Sequence, residues 1–198
     1  MTPSGYARWI HPIYDEGMDV RTLLTFEQFE QLPDEPGKRE LLRGELIELP
    51  PAKLRHNDTA HMFYDLLKPA LANLKSRGQG DSLGRVYIEM GYKISAVNWF
   101  QPDVSITHAG QAKGDYLQGA PAIAIEIVSE SNTAEAIDTK IQDYLAAGAL
   151  QVWVVYPKRR HLWIYETDGR AVAYSGRFGL TLLPGVELDL DAILADQL

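Results

Sequence analysis

Two carboxylates stand where apolar strands would not place them. Asp103 lies in Phe100–Thr107, FQPDVSIT, and Glu126 lies in Pro121–Asn132, PAIAIEIVSESN. Successive strand side chains point to opposite faces. Ile123, Ile125 and Ile127 therefore share one face, and Ala122, Ala124, Glu126 and Val128 the other. In the earlier stretch Gln101, Asp103 and Ser105 lie opposite Pro102, Val104 and Ile106. On neighbouring strands the two acids would approach on one face. An unpaired buried carboxylate is costly, and two together are worse unless a cation sits between them. Oxygen ligation in a chain without cysteine suits a hard ion, Mg²⁺ or Mn²⁺. The plainer reading is a salt bridge from each acid to a core Arg or Lys.

Lys140 joins this pair. On a helix starting at Thr133, Ile137, Ile141, Tyr144 and Leu145 form an apolar stripe, and Lys140 falls within it. Such a lysine either snorkels along the core edge or reaches inward to the acids. Two metal-binding acids plus a lysine are what phosphodiester hydrolysis needs. The metal neutralises phosphate charge and acidifies water, and the lysine orients or deprotonates that water or offsets developing charge. His56 and His61 are five apart, not the spacing of a helical metal pair. His56 is left to a phosphate contact or a helix-edge surface position. Ser129, Ser131 and Thr133 suit a capped turn, and Asp138 and Asp143 a solvated helix face or a supporting role.

The elements that must position these residues read as follows. Thr25 caps a short helix through Phe29, stopped by Pro33. Arg39–Leu49, RELLRGELIEL, is a hairpin turning at Arg43-Gly44. Asn57–Ser76 is an amphipathic helix capped by Asn57 or Asp58 and bent or broken at Pro69. Strands follow over Gly84–Ile94, Gln101–Thr107 and Ala122–Ser129, with a polar loop over His108–Gly119. After the helix over Thr133–Ala147 come strands at Gln151–Tyr156, His161–Glu166, Ala171–Tyr174 and Leu180–Leu183, then a short helix from Asp189 or Asp191. The strand–helix–strand crossover from Ala122 to Tyr156 requires parallel neighbours, and the shorter links before it favour antiparallel pairs. The expectation is an α/β fold, a mixed sheet with helices packed on it. The 198 residues suit one domain at 25–198 behind an irregular arm at 1–24. With no membrane-length apolar run and no signal-peptide order, the expectation is a cytoplasmic protein without membrane contact. A net charge of −8 argues against broad non-specific nucleic-acid binding, although basic residues cluster at Lys38–Arg55 and Lys158–Arg160.

QPDVSIT, AIAIEIVSESN and DTKIQDYLAAGALQVWVVYP, preceded by RELLRGELIELPP and a helix led by His56, resemble the Uma-type family of restriction-endonuclease-like proteins. That family belongs to the PD-(D/E)xK nuclease superfamily. The resemblance runs from about Thr25 to Tyr165. It implies a restriction-endonuclease-like fold, with Asp103 and Glu126 as the motif acids. The usual motif lysine would fall at 128, where this chain has Val128; the family moves the lysine to the following helix, where Lys140 stands. The resemblance further implies that the Ile127 carbonyl joins the metal shell and that Glu40 matches an acid of the early strand.

The leading expectation is a Mg²⁺-dependent or Mn²⁺-dependent endonuclease acting on DNA as a homodimer. Lys53, Arg55, Lys158, Arg159 and His56 are its candidate substrate contacts. The alternatives are a catalytically silent interaction module that keeps the fold and a small-molecule phosphoesterase using the same metal chemistry.

Overall fold

The computed structural model describes residues 23–195. The expected arm at 1–24 lies outside them except for Leu23 and Leu24. Helix α1 (Phe26–Glu30) begins with a capping box in which Thr25 and Gln28 bond each other's main-chain N–H. Strands β1 (Lys38–Leu42) and β2 (Glu45–Leu49) form the expected hairpin. Its turn residues Arg43 and Gly44 both take positive φ, +51° and +85°, which matches the twist of a two-residue connection.

Helix α2 (Leu54–Ser76) starts three residues before the expected cap, with Lys53 at the N-cap position and no side-chain cap bond. It runs unbroken through Pro69, which sits on the exposed face where the missing N–H and the ring meet solvent. The strand expected over Gly84–Ile94 is two. β3 (Leu83–Ile88) ends at Glu89, whose φ of +46° turns the chain out of one sheet, and β4 (Tyr92–Lys93) lies in another. β5 (Trp99–Phe100) follows, then β6 (Val104–His108), so Asp103 sits just before the strand. β7 (Leu117–Gln118) is a short strand inside the expected loop. β8 (Ile123–Ile127), α3 (Ala134–Ala146) and β9 (Gln151–Tyr156) form the crossover. A 3₁₀ turn, Pro157–Arg159, leads to β10 (His161–Glu166) and β11 (Ala171–Tyr174). Leu180–Leu183 is not a strand. β12 (Arg177–Gly179) and β13 (Glu187–Asp189) pair on either side of it, and α4 (Leu190–Ile193) follows with Asp189 as its cap.

The main sheet has the order β11-β10-β9-β8-β6-β3. β8 and β9 are parallel, as the crossover requires, and the other pairs are antiparallel. A second sheet has the order β2-β1-β5-β4-β7, so the hairpin belongs there and not to the main sheet. One face of the main sheet buries Ile123, Ile125, Val104 and Trp153 against Phe63, Leu67 and Leu71 of α2. The other buries Ala124, Val152 and Val154 against Ile137, Ile141 and Tyr144 of α3. The fold is therefore a mixed α/β architecture with sheets flanked by helices.

Gly84 is where β3 approaches β6 most closely. A Cβ there would overlap Thr107 Oγ1 and the His108 carbonyl. Gly84→Ala is expected to cost about 1–3 kcal/mol, as overpacking does, read as a lower urea midpoint at unchanged slope.

Candidate active site

The site is built from five elements, β1, α2, β6, β8 and α3, that converge at the ends of β6 and β8. Antiparallel pairing of Val104 with Ile125 and Ser105 with Ala124 brings Asp103 beside Glu126 and Ile127. The Ile127 main-chain N–H donates to Asp103 Oδ2 at 2.7 Å. Both acids are almost fully buried, and both line a cleft of about 400 Å³. Glu126 faces α3, as alternation requires. Its Oε1 accepts from the Tyr144 hydroxyl at 2.9 Å and lies 2.7 Å from Lys140 Nζ.

Lys140 reaches inward. Its ammonium donates to both Glu40 oxygens at 3.0 Å as well as facing Glu126. Glu40 comes from β1, and its Oε1 also accepts the Gln101 main-chain N–H at 2.8 Å. Thus Glu40, Glu126 and Lys140 are brought together, with the ammonium between the two carboxylates and Lys140 lining the same cleft. Burial alone would lower the Lys140 pKa; the two carboxylates override it and hold the lysine protonated. Burial pushes the Glu126 carboxyl up, and Lys140 offsets this only in part because Glu40 and Asp103 repel the same charge.

Asp103 has partners the sequence did not suggest. Lys38 Nζ lies 3.0 Å from its Oδ1, and His56 Nε2 lies 3.2 Å from the same oxygen. Burial would raise the Asp103 pKa, but Lys38, then His56, then the Ile127 N–H hold it well below the usual carboxylate range. His56 is therefore not a helix-edge surface residue. It projects from the first turn of α2 into the cleft, and its hydrogen bond to Asp103 raises its pKa. Lys38 is the functional candidate that the sequence reading missed. It stands two residues before Glu40 on β1 and so shares its face, a signal present in KRELL.

Asp143 takes the second of its two expected places, a supporting one. It does not simply solvate α3. Its carboxylate accepts a forked pair from Arg43, with Nη2 at 2.9 Å and Nε at 3.2 Å, and another bond from Asn98 Nδ2 at 3.0 Å. That clasp ties the β1–β2 turn to α3 and sets Glu40 over Lys140. Of the basic residues, Lys53 and Lys158 both pair with Glu130 outside the main cleft, and the Arg55 guanidinium reaches the Pro157 carbonyl. Arg159 is exposed on the 3₁₀ turn.

Among the described residues no group of three or more His, Asp or Glu side chains forms a ready metal cage. The donors present are two cleft-lining carboxylates with main chain beside them. That set fits Mg²⁺ or Mn²⁺, which commonly bind through one or two carboxylates and leave other positions to water and phosphate. Glu40, Asp103 and Glu126 face Lys38, Lys140 and His56, whose hydrogen bond to Asp103 favours its charged form, so cations already offset much of the acids' charge.

A family model, Uma2, described as "Putative restriction endonuclease", matches residues 26–194. The chain belongs to the Uma2 family. No curated protein matches the sequence. A solved structure of similar fold is a putative nuclease belonging to DUF820 from Anabaena variabilis ATCC 29413. It is 15% identical, covers 86% of this chain and 97% of its own, and superposes with a TM-score of 0.73. Family and neighbour agree on a nuclease-like protein, and the likeness in structure gives the restriction-endonuclease-like fold. No helix among the described residues is long and apolar enough to cross a membrane.

Lys140→Met would leave Glu40 and Glu126 buried with no shared cation. A loss of about 3–5 kcal/mol is expected, partly restored by adding Glu40→Gln, both measured by urea denaturation. A pH dependence follows from Asp103, whose folded pKa is depressed. Its contribution is present above the unfolded value of about 3.9 and is lost as pH falls through the folded one. Asp103→Asn should therefore flatten the acid limb of the stability profile below about pH 4.

Proposed function

We propose that this Uma2 protein is a Mg²⁺-dependent or Mn²⁺-dependent endonuclease that hydrolyses DNA phosphodiester bonds. The observation that carries the reading is the pair Asp103 and Glu126, two buried carboxylates brought side by side by the β6–β8 pairing and lining one cleft. Asp103 and Glu126 would hold the ion, with the Ile127 carbonyl beside them. When bound, the ion supplies charge neutralisation at the phosphate and acidification of water. Lys140 stays protonated between Glu40 and Glu126, so its part is to orient Glu126 and balance its charge, not to take a proton. Lys38, on the cleft wall, is the lysine placed to meet phosphate, and its ammonium substitutes for the one that Val128 lacks. His56 steadies Asp103 through the same oxygen, Oδ1. Cutting both strands of a duplex calls for two such sites, which is the basis for a homodimer.

A second reading is a silent interaction module with the same fold. It is favoured by one observation: Lys38 and His56 already occupy Asp103 Oδ1, so the acid is satisfied without a metal. Millimolar Mn²⁺ separates the two. Under the nuclease reading it raises the melting temperature of the wild type and not of Asp103→Ala; no rise in either protein supports the silent module. Cleavage is tested with Mn²⁺ on single-stranded, duplex and branched DNA beside nucleotide phosphoesters. Wild type should cut DNA, and Glu126→Ala should lose at least about a hundredfold, the scale on which removing a transition-state charge partner acts. Equal rates in the two proteins would place the activity at another site or in a contaminant.

A further inference from the structure

A second, smaller cleft of about 190 Å³ opens beside the first and shares Pro50, Pro51, His56, Ile127, Ser129 and Ser131 with it. Its apolar lining is exposed Pro50 and Pro51, half-buried Val128 and buried Pro157. Val128, which stands where the superfamily lysine would be, lines this second cleft. At the rim a single carboxylate is gripped by two lysines from separate elements. Glu130, on the β8–α3 connection, receives Lys53 Nζ on Oε2 at 2.9 Å and Lys158 Nζ on Oε1 at 2.6 Å. Lys53 precedes α2 and Lys158 lies in the 3₁₀ turn after β9. Those lysines, with Lys158 first, hold the Glu130 pKa down at about 2.

We propose that this cleft is a nucleotide subsite for the strand being cut: Lys53 and Lys158 take a phosphate flanking the scissile one, and Glu130 stands in that phosphate's place when the subsite is empty. The proposal rests on the nuclease reading of the main cleft. Three points of chemistry lead to it. The arrangement offers each lysine one oxygen of a shared anion, as a phosphodiester's two free oxygens would. All three side chains are more than half exposed, so the triad adds little to folding and can be exchanged for a ligand without disturbing the core. An apolar lining beside a cationic rim suits a deoxyribose or base face next to its phosphate. In a chain of net charge −8, the internal carboxylate also keeps the two lysines from collecting arbitrary anions.

The test measures binding of short fluorescein-labelled DNA oligonucleotides, single-stranded and duplex, by anisotropy in EDTA over a salt series. It is run beside the Mn²⁺ cleavage assay. Glu130→Gln, freeing both lysines, is expected to tighten binding by about tenfold and steepen the salt dependence. Lys53→Ala with Lys158→Ala should weaken binding and lower the salt slope by about two, one for each lost phosphate contact. If wild type cleaves DNA but none of these substitutions changes binding, the subsite is wrong and the nuclease reading stands. If the lysine-dependent and Glu130-dependent changes appear but no DNA is cleaved, the subsite stands as a nucleic-acid contact and the nuclease reading fails. Looser binding in Glu130→Gln would overturn the stand-in role.

Discussion

The buried bridge from Lys140 to Glu40 and Glu126 is the interaction on which the site depends. Each member comes from a different part of the chain: the second sheet, the main sheet and the helix between β8 and β9. None is tolerable alone at that depth, because a buried charge without a partner is strongly disfavoured. Together they lock the second sheet against the face of the main sheet that α3 covers. The Arg43–Asp143–Asn98 clasp at the other end of β1 prevents that sheet from pivoting. Removing one member of the bridge thus removes packing and site geometry together.

Asp103 is held by a different logic. It sits just outside β6, and its carboxylate ties the Ile127 N–H to Lys38 and His56. Nearby, Glu89 in a left-handed conformation moves the chain from one sheet to the other, donates its main-chain N–H to the Asp103 carbonyl, and lines the same cleft. A non-glycine residue held in that region stores strain of a kind concentrated at functional sites. The cleft is thus bordered by the two places where the chain departs from regular pairing, which is why polar groups converge there without being spent on the ladder.

Much of this was legible from local pattern. Alternation along PAIAIEIVSESN and FQPDVSIT allowed the two acids to share a face, and the stripe through Ile137, Ile141 and Tyr144 placed Lys140 with the apolar side of its helix, because strand and helix periods are properties of the chain itself. The Arg43-Gly44 turn, the Thr25 and Thr133 caps and the parallel β8–α3–β9 crossover are similarly local. The start of α2, the split of Gly84–Ile94 and the strands flanking Leu180–Leu183 were not, since each is decided by what packs against it.

By itself, then, the sequence determined which side chains share a face and which order of elements the chain follows, for those depend on backbone geometry within a few residues. Only the tertiary structure decided the partners: Lys38 and His56 on Asp103, Glu40 on Lys140, Asp143 clasping Arg43, and Glu130 between Lys53 and Lys158. Those pairs are separated by tens of residues. Charge attracts any opposite charge at similar strength, so nothing in the local pattern selects one partner over another until the sheets and helices have brought them within reach.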